Sequence, residues 1–194
     1  MRFPNWEVRL PDWVDGFLAE AGSCFPTAED RMGLVIGLSR RNVDEATGGP
    51  FGAAVFEAAT GRLVAPGVNV VMTTPCSVAH AETMAIAIAQ RIVGHYDLGG
   101  PGMPDCEIAA STEPCAMCLG AINWSGVRSL VCGARDEDAT AIGFDEGPKR
   151  TDWADVLTAR GLAVTRDVLR AEAAAVLQRY ADTGGAIYNA RQGA

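Results

Sequence analysis

Residues 106–118 read C-E-I-A-A-S-T-E-P-C-A-M-C, a short apolar stretch that runs into two cysteines three positions apart. Residues 106–111 predict a buried strand, and the residues after Pro114 predict a helix over 115–125. A strand that leads directly into a helix is typical of α/β proteins, in which helices cover a central sheet. Zinc prefers four ligands, so the two thiolates of Cys115 and Cys118 need a further ligand from elsewhere in the chain.

The segments on either side of this stretch alternate between helical and strand patterns. Thr27 is a candidate N-cap, with Asp30 three positions later as its capping-box partner, for a helix that reaches Glu45. The early hairpin makes the sheet mixed, so we predict a three-layer α/β/α sandwich around one mixed central sheet. The remaining predictions are strands at 51–57, 63–71, 127–134 and 162–166, and helices at 79–93, 136–142, 151–160 and 167–182.

Length and composition favour one globular domain over residues 1–194, with 48% hydrophobic and 21% charged residues. We expect an irregular N-terminal lead-in over 1–26 and a separate tail over about 183–194. No run approaches the ~18 apolar residues of a membrane span, and the start lacks the apolar core of a secretory signal. A net charge of −8 disfavours nucleic-acid binding, since an acidic surface repels phosphate.

The six cysteines are expected to be free thiols in a reducing cytoplasm, because nothing indicates export and the core needs no disulfides. Four of them are interpreted as buried or incidental thiols: Cys24, Cys76, Cys106 and Cys132.

The sequence contains two histidines, and His80 is the candidate third ligand. His80 opens an apolar helix just as Cys115 and Cys118 open another, so two facing helix N-termini would bring one imidazole and two thiolates together. Three protein ligands leave a fourth position for water, which is the catalytic arrangement of zinc. His95 follows Gly94 at a helix end and is interpreted as a helix cap.

Glu82 lies two residues after His80, near enough to bond the water without being a ligand. Its carboxylate is the candidate proton shuttle, which takes a proton from water and returns it to a leaving group. Plainer interpretations stay open at this point. The three ligand candidates are also compatible with a buried histidine beside core thiols or a redox pair, and Glu82 with a first-turn acid that stabilises its helix.

H-A-E at 80–82 followed by P-C-A-M-C at 114–118 resembles the zinc-dependent deaminases of the cytidine and deoxycytidylate deaminase superfamily. Between about residues 48 and 150 the chain further resembles the bacterial guanine deaminase branch. The segments that carry this resemblance are P-F-G-A-A-V from 50, Asn69, T-E-P-C-A-M-C-L-G-A-I-N-W from 112, and I-G-F-D-E from 142.

The resemblance implies hydrolytic deamination of guanine to xanthine and ammonia, with Zn²⁺ as cofactor. Glu146 matches the acidic residue that holds the base and assists proton transfer or ammonia release; the familiar form has Asp there. Asn69 matches the residue that binds the purine ring. Phe51 and Trp124 are the candidate aromatic walls, with His80 stacked on the other ring face.

The tail Y-N-A-R from Tyr188 resembles the segment that closes the pocket in this branch, where some members exchange it between two subunits. The resemblance therefore implies a homodimer, domain-swapped in those members. Plainer interpretations remain for the substrate residues: a solvated loop charge for Glu146, a turn for Asn69, and ordinary packing for the aromatic side chains.

Three other functions stay open. The same chemistry suits other small amino-heterocycles, namely ammeline or another amino-triazine, cytosine, a nucleoside or a pterin. The tRNA adenosine deaminases share the two short motifs, although they need a basic face for RNA. A non-enzymatic zinc-stabilised module would need a closed four-ligand site, and the sequence offers no clear fourth ligand.

Overall fold

A five-stranded sheet forms the centre of the computed structural model, which describes Glu7 and residues 9–191. The outermost parts of the predicted lead-in and tail, residues 1–6, 8 and 192–194, lie outside the described residues. The strand order is β2-β1-β3-β4-β5. The strands are β1 (Gly52–Glu57), β2 (Leu63–Val68), β3 (Cys106–Thr112), β4 (Ser129–Ala134) and β5 (Ala163–Thr165).

The sheet is mixed, as predicted. β1 runs antiparallel to both β2 and β3, with Val55 opposite Ala65 on one side and Ile108 on the other. β3, β4 and β5 are parallel, with Ala109 opposite Val131. The three parallel strands end at one edge, so the segments that follow β3 and β4 meet there.

Helices cover both faces of the sheet, which confirms the three-layer α/β/α arrangement. One apolar cluster joins α1, α2 and α7 to one face, and a second joins α3, α4 and α6 to the other. Alternate residues of β1 enter opposite clusters: Ala54 and Phe56 the first, Ala53 and Val55 the second. The helices are α1 (Trp13–Ala21), α2 (Ala28–Asp44), α3 (Ala81–Val93), α4 (Ala116–Ser125), α5 (Asp136–Ala141), α6 (Trp153–Ala159) and α7 (Arg170–Asp182).

The start of α2 confirms the predicted capping box. Thr27 Oγ1 accepts a hydrogen bond from the Asp30 backbone at 3.0 Å, and Asp30 Oδ2 accepts one from the Thr27 backbone at 3.1 Å. These two bonds satisfy donors that a helix N-terminus otherwise leaves free.

The prediction of an irregular lead-in over 1–26 is wrong for residues 13–21, which form α1. Val14, Phe17 and Leu18 recur at helical spacing and pack against the first apolar cluster, so burial of this stripe stabilises the helix. The nearby proline, glycine and tryptophan residues obscured that spacing. Within residues 9–191, no helix combines the length and the apolar character that crossing a membrane requires.

Candidate active site

Three candidate metal ligands converge where α3 and α4 begin. His80 is the N-cap residue of α3, Cys115 is the N-cap residue of α4, and Cys118 lies in the first turn of α4. His80 Nδ1 lies 3.6 Å from Cys115 Sγ and 3.7 Å from Cys118 Sγ. The ligand atoms of all three residues lie within 4.8 Å of one another, as the sequence predicted.

The local backbone explains why these side chains are available. His80 and Cys115 have extended backbone angles, with ψ of 160° and 171°, as N-cap residues usually do. Neither side chain caps its own helix, so both point toward the shared centre. The partial positive charge of the two helix N-termini stabilises thiolate there.

The separations fit zinc. Bond lengths of about 2.3 Å to sulfur and about 2.0–2.1 Å to nitrogen, at a tetrahedral angle, separate the two ligand atoms by about 3.6 Å. The observed sulfur-to-nitrogen distances are 3.6 and 3.7 Å. One imidazole and two thiols are also a donor set that zinc prefers. The residues therefore fit the cofactor that the sequence implied.

The two thiols differ in their protonation. The hydrogen bond from Cys118, followed by the one with His80, lowers the pKa of Cys115 to about 4. The same bond, together with burial, raises the pKa of Cys118 far above its usual value. Burial lowers the pKa of His80, but the bond with Cys115 and the charge of Glu82 outweigh it and raise that pKa overall. The bond between the two sulfurs therefore favours the thiolate form of Cys115 and the thiol form of Cys118.

Glu82 lies in the first turn of α3 and is only 8% exposed. Burial, and then the negative charge of Cys115, raise the pKa of its carboxyl group. The side chain lines the same cavity as His80 and Cys115, but it is not part of the ligand cluster. A buried carboxylate beside the ligands, with a pKa moved toward neutrality, suits proton transfer.

A cavity of about 310 Å³ opens in front of the ligands. Its floor is formed by His80, Glu82 and Cys115, and an aromatic group forms one wall. The centres of the Phe51 and Phe144 rings lie 5.0 Å apart, with edge-to-face geometry. Phe51 was predicted from the resemblance, whereas Phe144 was not, although it lies inside the G-F-D-E segment at 143–146.

Glu146 lines the cavity on the segment that follows α5. Its backbone oxygen accepts a hydrogen bond from the Ala116 N–H at 2.9 Å, which ties this segment to the start of α4. Burial, followed by the charges of Cys115 and Glu82, raises the pKa of Glu146 to about 8. Two carboxyl groups with raised pKa values therefore share one cavity.

Residues 188–191 of the tail line this cavity within the same chain. The Tyr188 ring lines the cavity, and its centre lies 5.1 Å from the centre of the Phe144 ring. The Tyr188 hydroxyl is buried and has no hydrogen-bond partner among the described residues. Asn189 fixes the tail, because its side chain accepts from the Asp145 N–H at 2.9 Å and donates to the Gly143 oxygen at 2.8 Å.

The structure does not bring Trp124 to the cavity, so it is not a wall of the site within this chain. Trp124 is 84% exposed, and it borders a separate hollow on the outer side of α4. Successive helix residues turn by about 100°, so Trp124, two residues after Ile122, points to the opposite side of α4. Ile122 is buried in the core. The aromatic residue at the end of A-I-N-W gave no hint of this orientation.

Asn69 is buried just beyond the end of β2, but it is not among the cavity-lining residues. Its Oδ1 accepts from the Val71 N–H at 3.2 Å, and its backbone oxygen accepts from the Asn42 side chain at 2.8 Å. The early end of β2, at Val68 instead of 71, results from this turn. The predicted contact of Asn69 with a substrate stays a prediction.

Beside the turn that carries Cys115 lies a charged cluster that was not predicted. Arg166 Nε donates to Glu113 at 2.6 Å, and Lys149 pairs with Asp136. Both cations lie over the ring of Trp153, at 5.4 and 5.0 Å from its centre. These residues are far apart in the sequence, so no local pattern indicated that they meet.

His95 and the other cysteines have no part in this site. His95 follows the left-handed C-cap Gly94, stacks on Tyr96 and is not in the ligand cluster, which agrees with a helix-end position. All six cysteines are free, as predicted. Cys106 and Cys132 are buried, Cys76 is half-buried and Cys24 is exposed.

Comparison with known proteins places these features in context. The family described as the cytidine and deoxycytidylate deaminase zinc-binding region matches residues 26–134, more than half of the chain. The guanine deaminase of Bacillus subtilis is 39% identical over 109 residues, which cover 56% of this chain and 65% of that protein. The match therefore spans slightly less than two thirds of this curated relative.

Two solved structures match over nearly the whole chain. The guanine deaminase from Nitrosomonas europaea is 46% identical, covers 92% of this chain and 97% of its own, and superposes with a TM-score of 0.85. A protein crystallised with 2,6-diaminopurine is 48% identical, covers 95% and 97% of the two chains, and has a TM-score of 0.86. Both likenesses support the fold described above.

Proposed function

Because the chain belongs to the cytidine and deoxycytidylate deaminase family with a zinc-binding region, we propose that it hydrolyses guanine to xanthine and ammonia. The observation that carries the proposal is the convergence of three zinc ligands and two carboxyl groups with raised pKa values, Glu82 and Glu146, on one cavity of about 310 Å³. The guanine deaminases among its relatives support the choice of substrate.

His80, Cys115 and Cys118 would hold Zn²⁺. Zinc held by three protein side chains would supply a bound water with its pKa lowered to about 7. The protein supplies everything else that the reaction requires: the orientation of the purine, the movement of protons and the exclusion of bulk water.

Glu82 moves the first proton. Its carboxylate accepts a proton from the water that attacks C2 of guanine, and then delivers this proton to N3 of the ring. Burial of Glu82 raises the pKa of its carboxyl group, and a carboxylate with a raised pKa accepts the proton from water more readily.

Glu146 acts on the leaving group. With a pKa near 8, its protonated carboxyl group can give a proton to the 2-amino nitrogen, which departs as ammonia. One water is consumed: the C2–N bond breaks, the C2–OH group becomes the C2=O of xanthine, and its hydroxyl proton passes to Glu146 and restores the acid form. Before departure, an oxygen of the same group can accept a hydrogen bond from N1–H, so Glu146 also orients the ring.

The aromatic group holds the flat bicyclic base. Phe51, Phe144 and Tyr188 present apolar surface to the cavity, and an enclosed apolar wall suits a planar purine. Asn69 remains a candidate ring contact, since its neighbour Val71 lines the cavity. Closure by the tail excludes bulk water, which strengthens the electrostatic interactions inside.

We further propose that the protein is a homodimer and that it acts in a reducing, cytoplasmic environment. The exposed Trp124 borders a hollow of about 460 Å³ with Val156, and an exposed apolar patch of this kind supports an interface. Six free cysteines support the reducing setting. Light scattering tests the dimer, and we expect a dimeric wild type and a monomeric Trp124→Ser variant. A wild type that is monomeric contradicts the proposal, and so does a Trp124→Ser variant that stays dimeric.

The test of the activity uses zinc-loaded protein. We expect guanine to yield xanthine and ammonia in equal amounts, and kcat/KM for guanine to exceed that for ammeline, cytosine, a pterin or a nucleoside. Absence of turnover with one zinc per chain contradicts the proposal. Preferential turnover of tRNA adenosine would favour the RNA-editing relatives, against which the net charge of −8 argues.

A further inference from the structure

Lys149 is the only lysine among the 194 residues, whereas the chain contains fifteen arginines. Its side chain is only 5% exposed, which is unusual for lysine. An ammonium group is a compact point charge, while guanidinium is broad and planar. The single use of lysine, at a buried position behind the ligands, indicates a task that the arginine side chain does not fit.

The contacts of Lys149 define that task. Its Nζ donates a hydrogen bond to the Pro114 oxygen at 2.9 Å and pairs with Asp136. The ammonium also lies 5.0 Å from the centre of the Trp153 ring, in cation–π geometry. A buried lysine needs such partners to remain charged, and here one partner belongs to the turn that carries a metal ligand.

The segment from Glu146 to Lys149 is attached to that turn on both sides of Cys115. At one end, the Glu146 oxygen accepts from the Ala116 N–H at 2.9 Å. At the other end, the Lys149 ammonium donates to the Pro114 oxygen. Two attachments three residues apart restrict both translation and rotation of the segment, so they fix the direction in which Glu146 enters the cavity.

We infer that Lys149 is a positioning residue that sets the place of Glu146 relative to Cys115. This inference rests on the proposed function, because positioning has kinetic consequences only if Glu146 contacts the substrate. The Asp136 partner strengthens the attachment, since an ion pair holds the ammonium in one place as it bonds to Pro114.

Arg166 offers a matched control within the same cluster. It also lies over the Trp153 ring and pairs with the buried carboxylate of Glu113. Its ion pair and hydrogen bond to Glu113 do not involve the 146–149 segment. Removal of either cation costs the cluster one charge. Only the loss of Lys149 releases the segment that carries Glu146.

A double-mutant cycle tests the inference with Lys149→Met, Glu146→Gln and the combination. We expect Lys149→Met to lower kcat/KM for guanine by about 30- to 100-fold, through kcat and KM together, with one zinc retained per chain, because a displacement of about 1 Å costs about 100-fold. In the Glu146→Gln background the same substitution should change kcat/KM by less than about 3-fold. Arg166→Met should stay within about 3-fold of wild type.

Two further readouts do not depend on turnover. The Kd of 8-azaguanine should rise about 10-fold with Lys149→Met and stay unchanged when that substitution is added to Glu146→Gln. Hydrogen exchange over residues 143–149 should be faster in Lys149→Met than in Arg166→Met. If Lys149→Met does not fold, Lys149→Gln, which keeps a donor but loses the charge, takes its place in the cycle.

Equal losses in both Glu146 backgrounds, or wild-type kinetics and exchange in Lys149→Met, overturn the inference. An Arg166→Met variant with the same Glu146-dependent loss also overturns it, because the effect would then belong to the whole cluster. Failure of the proposed function is distinct: the wild type itself would not deaminate guanine, while hydrogen exchange would still decide whether Lys149 holds the segment.

Discussion

Substitution of Gly49 by alanine should open the cover of the cavity without touching the metal ligands. A Cβ atom at position 49 would lie 1.9 Å from the Tyr188 hydroxyl oxygen and 2.8 Å from the ring carbon that bears it. Gly49 is not among the described glycines with positive φ, so its backbone accepts alanine. The clash with Tyr188 is therefore the main effect of the change.

The size of the effect follows from these distances. Comfortable contacts between heavy atoms are about 3.5 Å or longer, so the tip of the Tyr188 ring must retreat by about 1.5 Å. Overpacking of this kind costs about 1–3 kcal/mol. Since each 1.4 kcal/mol is a factor of ten, the ratio of closed to open tail should fall by about 5- to 150-fold. We expect kcat/KM for guanine to fall by about 10- to 100-fold.

The assay combines kinetics with a structural probe of the tail. Steady-state rates with guanine give kcat/KM, metal analysis confirms one zinc per chain, and hydrogen exchange over 184–191 reports closure of the tail. Gly33→Ala is the matched control, because a Cβ at that position in α2 meets nothing within 4 Å. It should add about 0.5–1 kcal/mol of stability and leave the kinetics unchanged.

The reasoning would be refuted if Gly49→Ala kept wild-type kcat/KM together with wild-type protection of the tail. An equal loss of activity in Gly33→Ala would also contradict it, since that variant leaves Tyr188 undisturbed. Loss of zinc from Gly49→Ala would show that the substitution acts through the ligands instead of the tail.

Three further predictions concern protons and metal. Glu82→Gln should retain zinc but lower kcat by at least about 100-fold, because the amide cannot accept the proton; metal analysis and rates check this, and retained activity removes Glu82 from the mechanism. Zinc uptake at pH 7 should release about one proton from Cys118, whose pKa is raised, plus a fraction from His80, so zinc affinity should rise with pH in chelator competition. Absence of proton release in weakly buffered dye assays contradicts this. If the acid form of Glu146 donates the proton, kcat should decline as the pH rises through the pKa of Glu146. That pKa should lie at or below about 8, because the positive charge of bound zinc lowers it. The Glu146→Gln variant should lack the decline.

The fold was largely predictable because its signals are local. The cap formed by Thr27 and Asp30, the apolar run of β3 and the helix that begins at His80 each occupy one contiguous stretch. α1 was missed because its apolar stripe is short and lies among residues that usually break helices. Its stability depends on packing against the first apolar cluster, which a local pattern does not show.

The site was predictable where spacing encodes chemistry and less so where tertiary packing decides. His80, Glu82 and Cys115 lie at fixed offsets from helix starts, so the sequence indicated their places, while their roles stay predictions. The direction in which Trp124 points depends on which side of α4 faces the sheet. The bond from Lys149 to Pro114 joins segments 35 residues apart, and only the folded chain brings them together.

The solitary buried lysine also makes the chain unusual as a substrate for lysine-specific proteases. An endoproteinase that cleaves after lysine has one target bond in the whole sequence, that between Lys149 and Arg150. In the folded protein the Lys149 side chain is almost fully covered, so cleavage requires local opening of the segment beside the cavity. The rate at which two fragments appear on a gel would therefore report how often the segment beside the active site opens in the unmodified protein, with no label and no substrate.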